Sequence, residues 1–125
     1  LRGNGELTQV QYNSSSERLL ALKGNTINAI DLSNASSQTI KIESEWPPQI
    51  FLNGNAGEII CHFNDMVVVY HFHTGEELMR IKDIRHIYVG VGDKRYDNPK
   101  TRKIRSNIEY IIGVDGNNNI TKINL

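Results

Sequence analysis

The stretch "MVVVYHFHTGEELMRIK", Met66 to Lys82, admits two readings. It carries His71, Phe72 and His73, and "CHF", Cys61 to Phe63, lies just before it. Histidines this close to a cysteine suggest a metal centre. Val67 to Tyr70 instead suggest a β-strand, because β-branched and aromatic side chains suit a pleated, covered surface. Hairpin geometry separates the two. A two-residue turn at Asn64-Asp65 pairs Phe63 with Met66, Cys61 with Val68 and Ile59 with Tyr70. One face then holds Ile59, Cys61, Phe63, Met66, Val68, Tyr70 and Phe72. The other holds Glu58, Ile60, His62, Val67, Val69, His71 and His73. Cys61 points away from all three histidines.

A zinc centre needs about four ligands within ~2.0–2.3 Å of one point. This register does not bring them together, so no metal ligand is assigned. His71 falls opposite Glu58, which predicts a hydrogen-bonded polar pair. An upstream hairpin, turning at Gly24-Asn25, likewise sets Arg18 opposite Asp31. Both faces of the Ile59–Phe72 hairpin are largely apolar. A sheet with one side in water alternates cleanly, so this one is expected to be covered on both sides.

Working outward, eleven short β-prone runs separated by turn residues fill the chain, and no stretch keeps a helical apolar period. The fold class is all-β. The runs form three units with the order strand, loop, strand, tight turn, strand, loop, strand; the last unit stops after its third strand. The corresponding ends of the third strands are Ile30-Asp31, Tyr70-His71 and Ile123-Asn124. Asp31 to His71 is 40 residues and His71 to Asn124 is 53. The excess of 13 matches an insertion, "DKRYDNPKTRKIR", residues 93–105. A period near 40 is that of a propeller blade. The units span approximately 6–44, 47–83 and 84–125, with Pro47 and Pro48 in a connection between them. The expected core is Leu20, Leu22, Ile27, Ile59, Val68, Ile111 and Ile120.

In strand order and period the units resemble WD-repeat β-propeller blades. The family ends the third strand in Trp-Asp. Here Asp31 keeps the acid, while Tyr70-His71 and Ile123-Asn124 depart from it, and the opening Gly-His is missing. "HTGEEL", His73 to Leu78, matches the family's turn into the fourth strand. The resemblance implies a partial propeller of about three four-stranded antiparallel blades, the last incomplete, acting as a protein-interaction scaffold. The chain is read either as part of something longer or as a unit that closes with another copy or another polypeptide.

Composition narrows the function classes. The 125 residues carry 14 Lys and Arg against 14 Asp and Glu, so no whole-chain field favours nucleic acid or an anionic membrane. No apolar run approaches the ~18 residues of a spanning helix. One cysteine, Cys61, excludes an internal disulfide and fits a reducing, intracellular setting. Asn13, Asn34 and Asn119 match the glycosylation pattern, which an asparagine-rich chain meets by chance. Nucleophile, Walker and dinucleotide motifs are absent, so no enzyme activity, cofactor or catalytic residue is expected. The insertion is the one feature the repeat does not require. Lys94, Arg95, Lys100, Arg102, Lys103 and Arg105 outnumber Asp93 and Asp97, giving +4 locally and −4 elsewhere. These six cations are the candidate docking residues for an acidic protein segment. Nucleic acid is the rival ligand, although Tyr96 alone makes no stacking platform. The rival fold is a closed antiparallel barrel carrying a small apolar ligand, in which every neighbouring strand would be paired.

Overall fold

The computed structural model describes residues 7–42, 44, 47–91 and 107–125, with the backbone of 95–96 and 104–105. All regular structure among the described residues is β. The first sheet is the meander β1 (Leu7–Asn13), β2 (Arg18–Lys23), β3 (Thr26–Asp31) and β4 (Ser36–Lys41). The second repeats it with β5 (Gln49–Asn53), β6 (Glu58–His62), β7 (Met66–His71) and β8 (Glu77–Lys82). A two-residue pair, β10 (Arg95–Tyr96) with β11 (Ile104–Arg105), then interrupts the third sheet. That sheet is built of β9 (His86–Val91), β12 (Ile108–Val114) and β13 (Ile120–Asn124), in the order β13-β12-β9. Ladders stop at β4 and restart at β5, and stop again at β8 and restart at β9. That break rules out the closed barrel, whose pairing would be continuous. The architecture is a partial propeller: three antiparallel sheets, the last one strand short.

Turn chemistry sets the register. Glu58 lies across from His71, Cys61 across from Val68 and His62 across from Val67, as the Asn64-Asp65 turn requires. The first sheet has Arg18 across from Asp31, and the third has Tyr110 across from Asn124. These pairs align the three sheets. One backbone hydrogen bond recurs at the aligned place in each: Leu32 N–H to Glu17 O, 2.8 Å; Phe72 N–H to Gly57 O, 2.8 Å; Leu125 N–H to Glu109 O, 3.0 Å. It closes the loop after the third strand onto the start of the second. The repeat is therefore one of hydrogen bonding as well as of strand order.

Alternation along each strand makes two faces, and the sheets stack through them. Leu20, Leu22, Ile27 and Ala29 leave the first sheet to meet Ile50, Ile59, Cys61 and Phe72 of the second. From the opposite face of the second sheet, Ile60, Val67 and Val69 meet Ile111, Ile123 and Leu125. The middle sheet is thus covered on both sides, which explains its double apolar pattern. At ~25 cal/mol per Å2 of apolar area removed from water, these contacts dominate stability. Six of the seven expected core residues are buried. The seventh, Ile120, is 73% exposed. Its position matches Val67, but no described residue lies beyond β13 to cover it.

Candidate interaction interface

Polar side chains tie the sheets together along their seams. Asp31, at the end of β3, is buried, and its carboxylate is fully employed. His73 Nε2 lies 3.0 Å from Oδ2, Arg18 Nε donates to the same oxygen at 3.4 Å, and Ser33 N–H donates to Oδ1 at 3.1 Å. The bond from His73 and those from Ser33 hold the Asp31 carboxyl well below the usual carboxylate range. Arg18 also donates through Nη1 to Gly54 O and stacks over Phe72, 5.4 Å from the ring centre. Asp31, Arg18 and His73 thus clasp the first sheet to the second.

Side-chain amides do the same between inner strands. An amide carries a donor and an acceptor, so it can mimic a peptide group on a neighbouring strand edge. Gln9 donates to Pro48 O at 2.7 Å and accepts from Ile50 N–H at 3.1 Å. Gln11 donates to Ile50 O and accepts from Leu52 N–H at 2.7 Å. At the second seam, buried Asn53 exchanges both bonds with Ile108, each 2.9 Å, and its Nδ2 reaches Glu58 at 3.0 Å. The loops after β1 and β5 also press together. A Cβ on Gly54 would lie 2.6 Å from Asn13 Cβ, so this close approach requires glycine.

The histidines do not converge. His62 Nε2 is 2.9 Å from Ile84 O, bracing the link from the second sheet to the third. His71 Nδ1 accepts from the N–H groups of His73 and Thr74, at 3.2 and 3.3 Å. The expected His71–Glu58 pair is a register pair, but its side chains are taken elsewhere, Glu58 by Asn53. Strict alternation groups His73 with His62 and His71 on the face opposite Cys61, which in the structure meets the third sheet. His73 turns to the first sheet instead, because β7 ends at His71 and strict alternation ends with it. Cys61 is buried in the first seam, and burial pushes its thiol up to about 12. Among the described residues no group of three or more His, Cys, Asp or Glu is placed to hold a metal ion.

Among the described residues, three open surfaces stand out. A cleft of about 400 Å3 opens beside the first seam, lined by Lys41, Phe63, Met66, Tyr70 and Arg80 among others. Arg80 is already paired there with Glu77 at 2.6 Å. The other two surfaces are the end faces of the stack. On the first sheet, Val10, Tyr12 and Leu32 are exposed; on the third, Tyr88 and Ile120 are. Of the candidate docking cations, Lys94, Lys100, Arg102 and Lys103 lie outside the described residues. Arg95 and Arg105 are described only as backbone partners of each other in the β10–β11 pair. Sequence reasoning missed Gln9, Gln11, Asn53 and the His73–Asp31 contact. Gln9 and Gln11, two apart on one face of an inner strand, were the available signal.

No helix among the described residues is long and apolar enough to cross a membrane. No protein-family model matches the chain, and no curated protein matches it. Among solved structures it is similar to BamB from Moraxella catarrhalis, with 17% identity and a TM-score of 0.49. The match covers 98% of this chain and 31% of that one, so the chain spans about a third of that structure's length.

Proposed function

We propose that this chain is a non-catalytic protein-interaction scaffold, a stretch of degenerate WD-type propeller within a larger ring or assembly, working in an intracellular compartment. The observation that supports this reading is the exposure of Val10, Tyr12, Leu32, Tyr88 and Ile120 on the outer faces of sheets whose facing sides bury their apolar residues. Large exposed apolar patches mark association surfaces in soluble proteins. The polar groups that would attract a chemist, Asp31, Arg18, His62 and His73, are all engaged in holding sheets and links together. Asp31 as the one retained acid at the end of a third strand supports the WD-type assignment. A single cysteine, Cys61, which can form no disulfide within these residues, suits a reducing compartment.

The basic insertion is the proposed docking element for an acidic protein segment. The test is titration of the protein with an acidic peptide, and separately with single-stranded RNA and duplex DNA, at low and raised salt. Binding of the peptide that falls when Lys100, Arg102, Lys103 and Arg105 are all changed to Glu, with an unchanged melting curve, supports it. Equal peptide binding by the reversed variant overturns it. Nucleic-acid binding with a steep salt dependence would replace it with the phosphate-backbone reading.

A further inference from the structure

We infer that the cleft beside the first seam docks a segment of a partner protein that carries both apolar side chains and carboxylates. The inference rests on the scaffold reading and gives that scaffold a second docking element. The cleft lies between the first and second sheets of this chain, so sheets stacked outside those two would leave it open. Its volume, about 400 Å3, accommodates a few side chains. The floor belongs to the second sheet: Phe63, Met66, Val68 and Tyr70. Val68 is buried, while the other three are half-buried. Lys41 stands on the wall given by the first sheet, and Arg80 on that given by the second.

The repeat shows that the fold does not require such a floor. The bond from Phe63 N–H to Met66 O, 2.8 Å, recurs in the third sheet from Asp115 N–H to Asn119 O, 3.1 Å. Counting from the pairs Glu58–His71 and Tyr110–Asn124, Val68 stands where Thr121 stands, and Tyr70 where Ile123 stands. Towards the second sheet, the third therefore presents Asp115, Asn119, Thr121 and Ile123. Asn119 and Thr121 are exposed, and the second seam closes on Ile123 alone of the four. The first sheet carries Lys23, Thr26 and Asn28 where the second has Phe63, Met66 and Val68. Large apolar side chains at this corner are thus peculiar to the second sheet. Phe63 and Tyr70 touch the buried cluster with part of their surface and leave the rest to the cleft.

Charge selects the occupant. Lys41 is exposed and makes no ion pair with a described residue. Arg80 pairs with Glu77 at 2.6 Å, but both side chains are exposed, and such pairs contribute little. A partner's carboxylate can take the place of Glu77 at small cost. Arg80 Nη1 also lies 3.3 Å from Met66 Sδ, which sets the guanidinium over the apolar floor. Burial holds the Tyr70 phenol above its ordinary value, so its hydroxyl stays a neutral donor for a carboxylate. Asp65, at the turn, is the one carboxylate lining the cleft among the described residues. An apolar side chain against Met66 and Tyr70, with a carboxylate at Arg80 or Lys41, satisfies floor and walls together. The unbranched Met66 adapts to more than one apolar shape. This site and the basic insertion lie at opposite ends of the strands. The cleft is built around the Asn64-Asp65 turn, whereas the insertion joins β9 to β12 where Val91 pairs with Ile108.

Fluorescence anisotropy with three short labelled peptides tests this. One alternates Leu and Phe with Glu. The second keeps Glu and replaces the apolar residues by Ser; the third keeps the apolar residues and replaces Glu by Lys. The first should bind, and the other two at least about 10-fold more weakly. Lys41→Glu with Arg80→Glu, at exposed positions, should weaken the first peptide about 10-fold or more while the melting curve stays native. Met66→Asn, which installs the residue type of the aligned third-sheet position, should weaken it likewise, with circular dichroism confirming the fold. Reversing Lys100, Arg102, Lys103 and Arg105 to Glu should leave this binding unchanged. A natively folded wild type that does not bind the first peptide at millimolar concentration overturns the inference. Equal binding of the Lys peptide or of the Ser peptide does so too. Binding that survives both cleft variants but falls on reversing the insertion sinks the cleft and leaves the scaffold reading standing. Loss of neither, or binding of no peptide by cleft or insertion, sinks the cleft and the insertion together.

Discussion

Val67 and Ile120 occupy the same place in their sheets, yet the first is fully buried and the second 73% exposed. Both are β-branched residues at the start of a third strand, aimed at the following sheet. Their difference lies in what is above them. Val67 has Ile111, Ile123 and Leu125 packed in its cluster. The comparison teaches that strand pattern decides which way a side chain points, while the next sheet decides whether pointing there stabilises anything. The largest effects should follow that division. Ile60→Ala, in the covered position, should cost about 2–5 kcal/mol by cavity formation, and Val67→Ala somewhat less. Ile120→Ala should stay within about 0.5 kcal/mol in the monomer. Urea unfolding of the three variants checks this; a loss at Ile120 as large as at Val67 would mean that β13 is covered after all.

The two seams differ as well, one charged and one neutral. Asp31→Ala should cost about 1–3 kcal/mol at neutral pH, because it removes bonds made to a buried carboxylate and strands their donors. The pH dependence has a definite sign. The folded carboxyl is held below its ordinary value of about 3.9, so its stabilisation is fully present above that pH. It is lost as pH falls through the folded value. Wild type should therefore lose stability towards acid more steeply than Asp31→Asn. Parallel acid limbs in the two proteins would show that the clasp is not the acid-sensitive element.

Asn53→Ala probes the neutral seam. It removes both bonds to Ile108 and leaves a partly buried N–H and carbonyl without that partner. The cost should be about 1–2 kcal/mol. Unlike that of Asp31, it should not shrink as pH falls below about 3.9, since no ionisation is involved in the amide contacts to Ile108. Denaturation midpoints of the two variants across that range sharpen the contrast between the seams. A pH-dependent cost at Asn53 would point to its other partner, Glu58, as the dominant one.

Much of this fold could be read from the chain, for identifiable reasons. Tight turns at Gly24-Asn25 and Asn64-Asp65 set the register of their hairpins, so Arg18–Asp31 and Glu58–His71 followed from counting. The period near 40 followed from equivalent strand ends. What escaped was everything that depends on sheets meeting. Gln9 and Ile50 are 41 residues apart and meet through an amide, which no local pattern encodes. His73 lies past the end of β7, where alternation no longer aims side chains. Ile120 has the right residue type and the right direction, but its burial depends on a neighbour that strand patterning cannot supply. The basic insertion was legible as composition only, and its side chains fall outside the described residues.

A pair of expected effects with opposite signs at equivalent places sits at Glu17 and Gly57. Both accept the recurring backbone bond, from Leu32 and Phe72, and both have positive φ, 56° and 72°. A non-glycine residue there carries roughly 1–2 kcal/mol of left-handed strain. Glycine avoids it but loses more backbone entropy on folding, by about 0.4–1 kcal/mol. Gly57→Ala should therefore destabilise by about 1 kcal/mol. The nearest atom to the added Cβ would be Arg18 Nη1 at 3.5 Å, an ordinary contact, so φ and not crowding sets the cost. Glu17→Gly should do the reverse and raise stability by up to about 1 kcal/mol. Melting temperatures of the two variants decide it. If Glu17→Gly destabilises, the Glu17 side chain contributes something its backbone conformation conceals, and the equivalence of the two turns holds for the backbone alone.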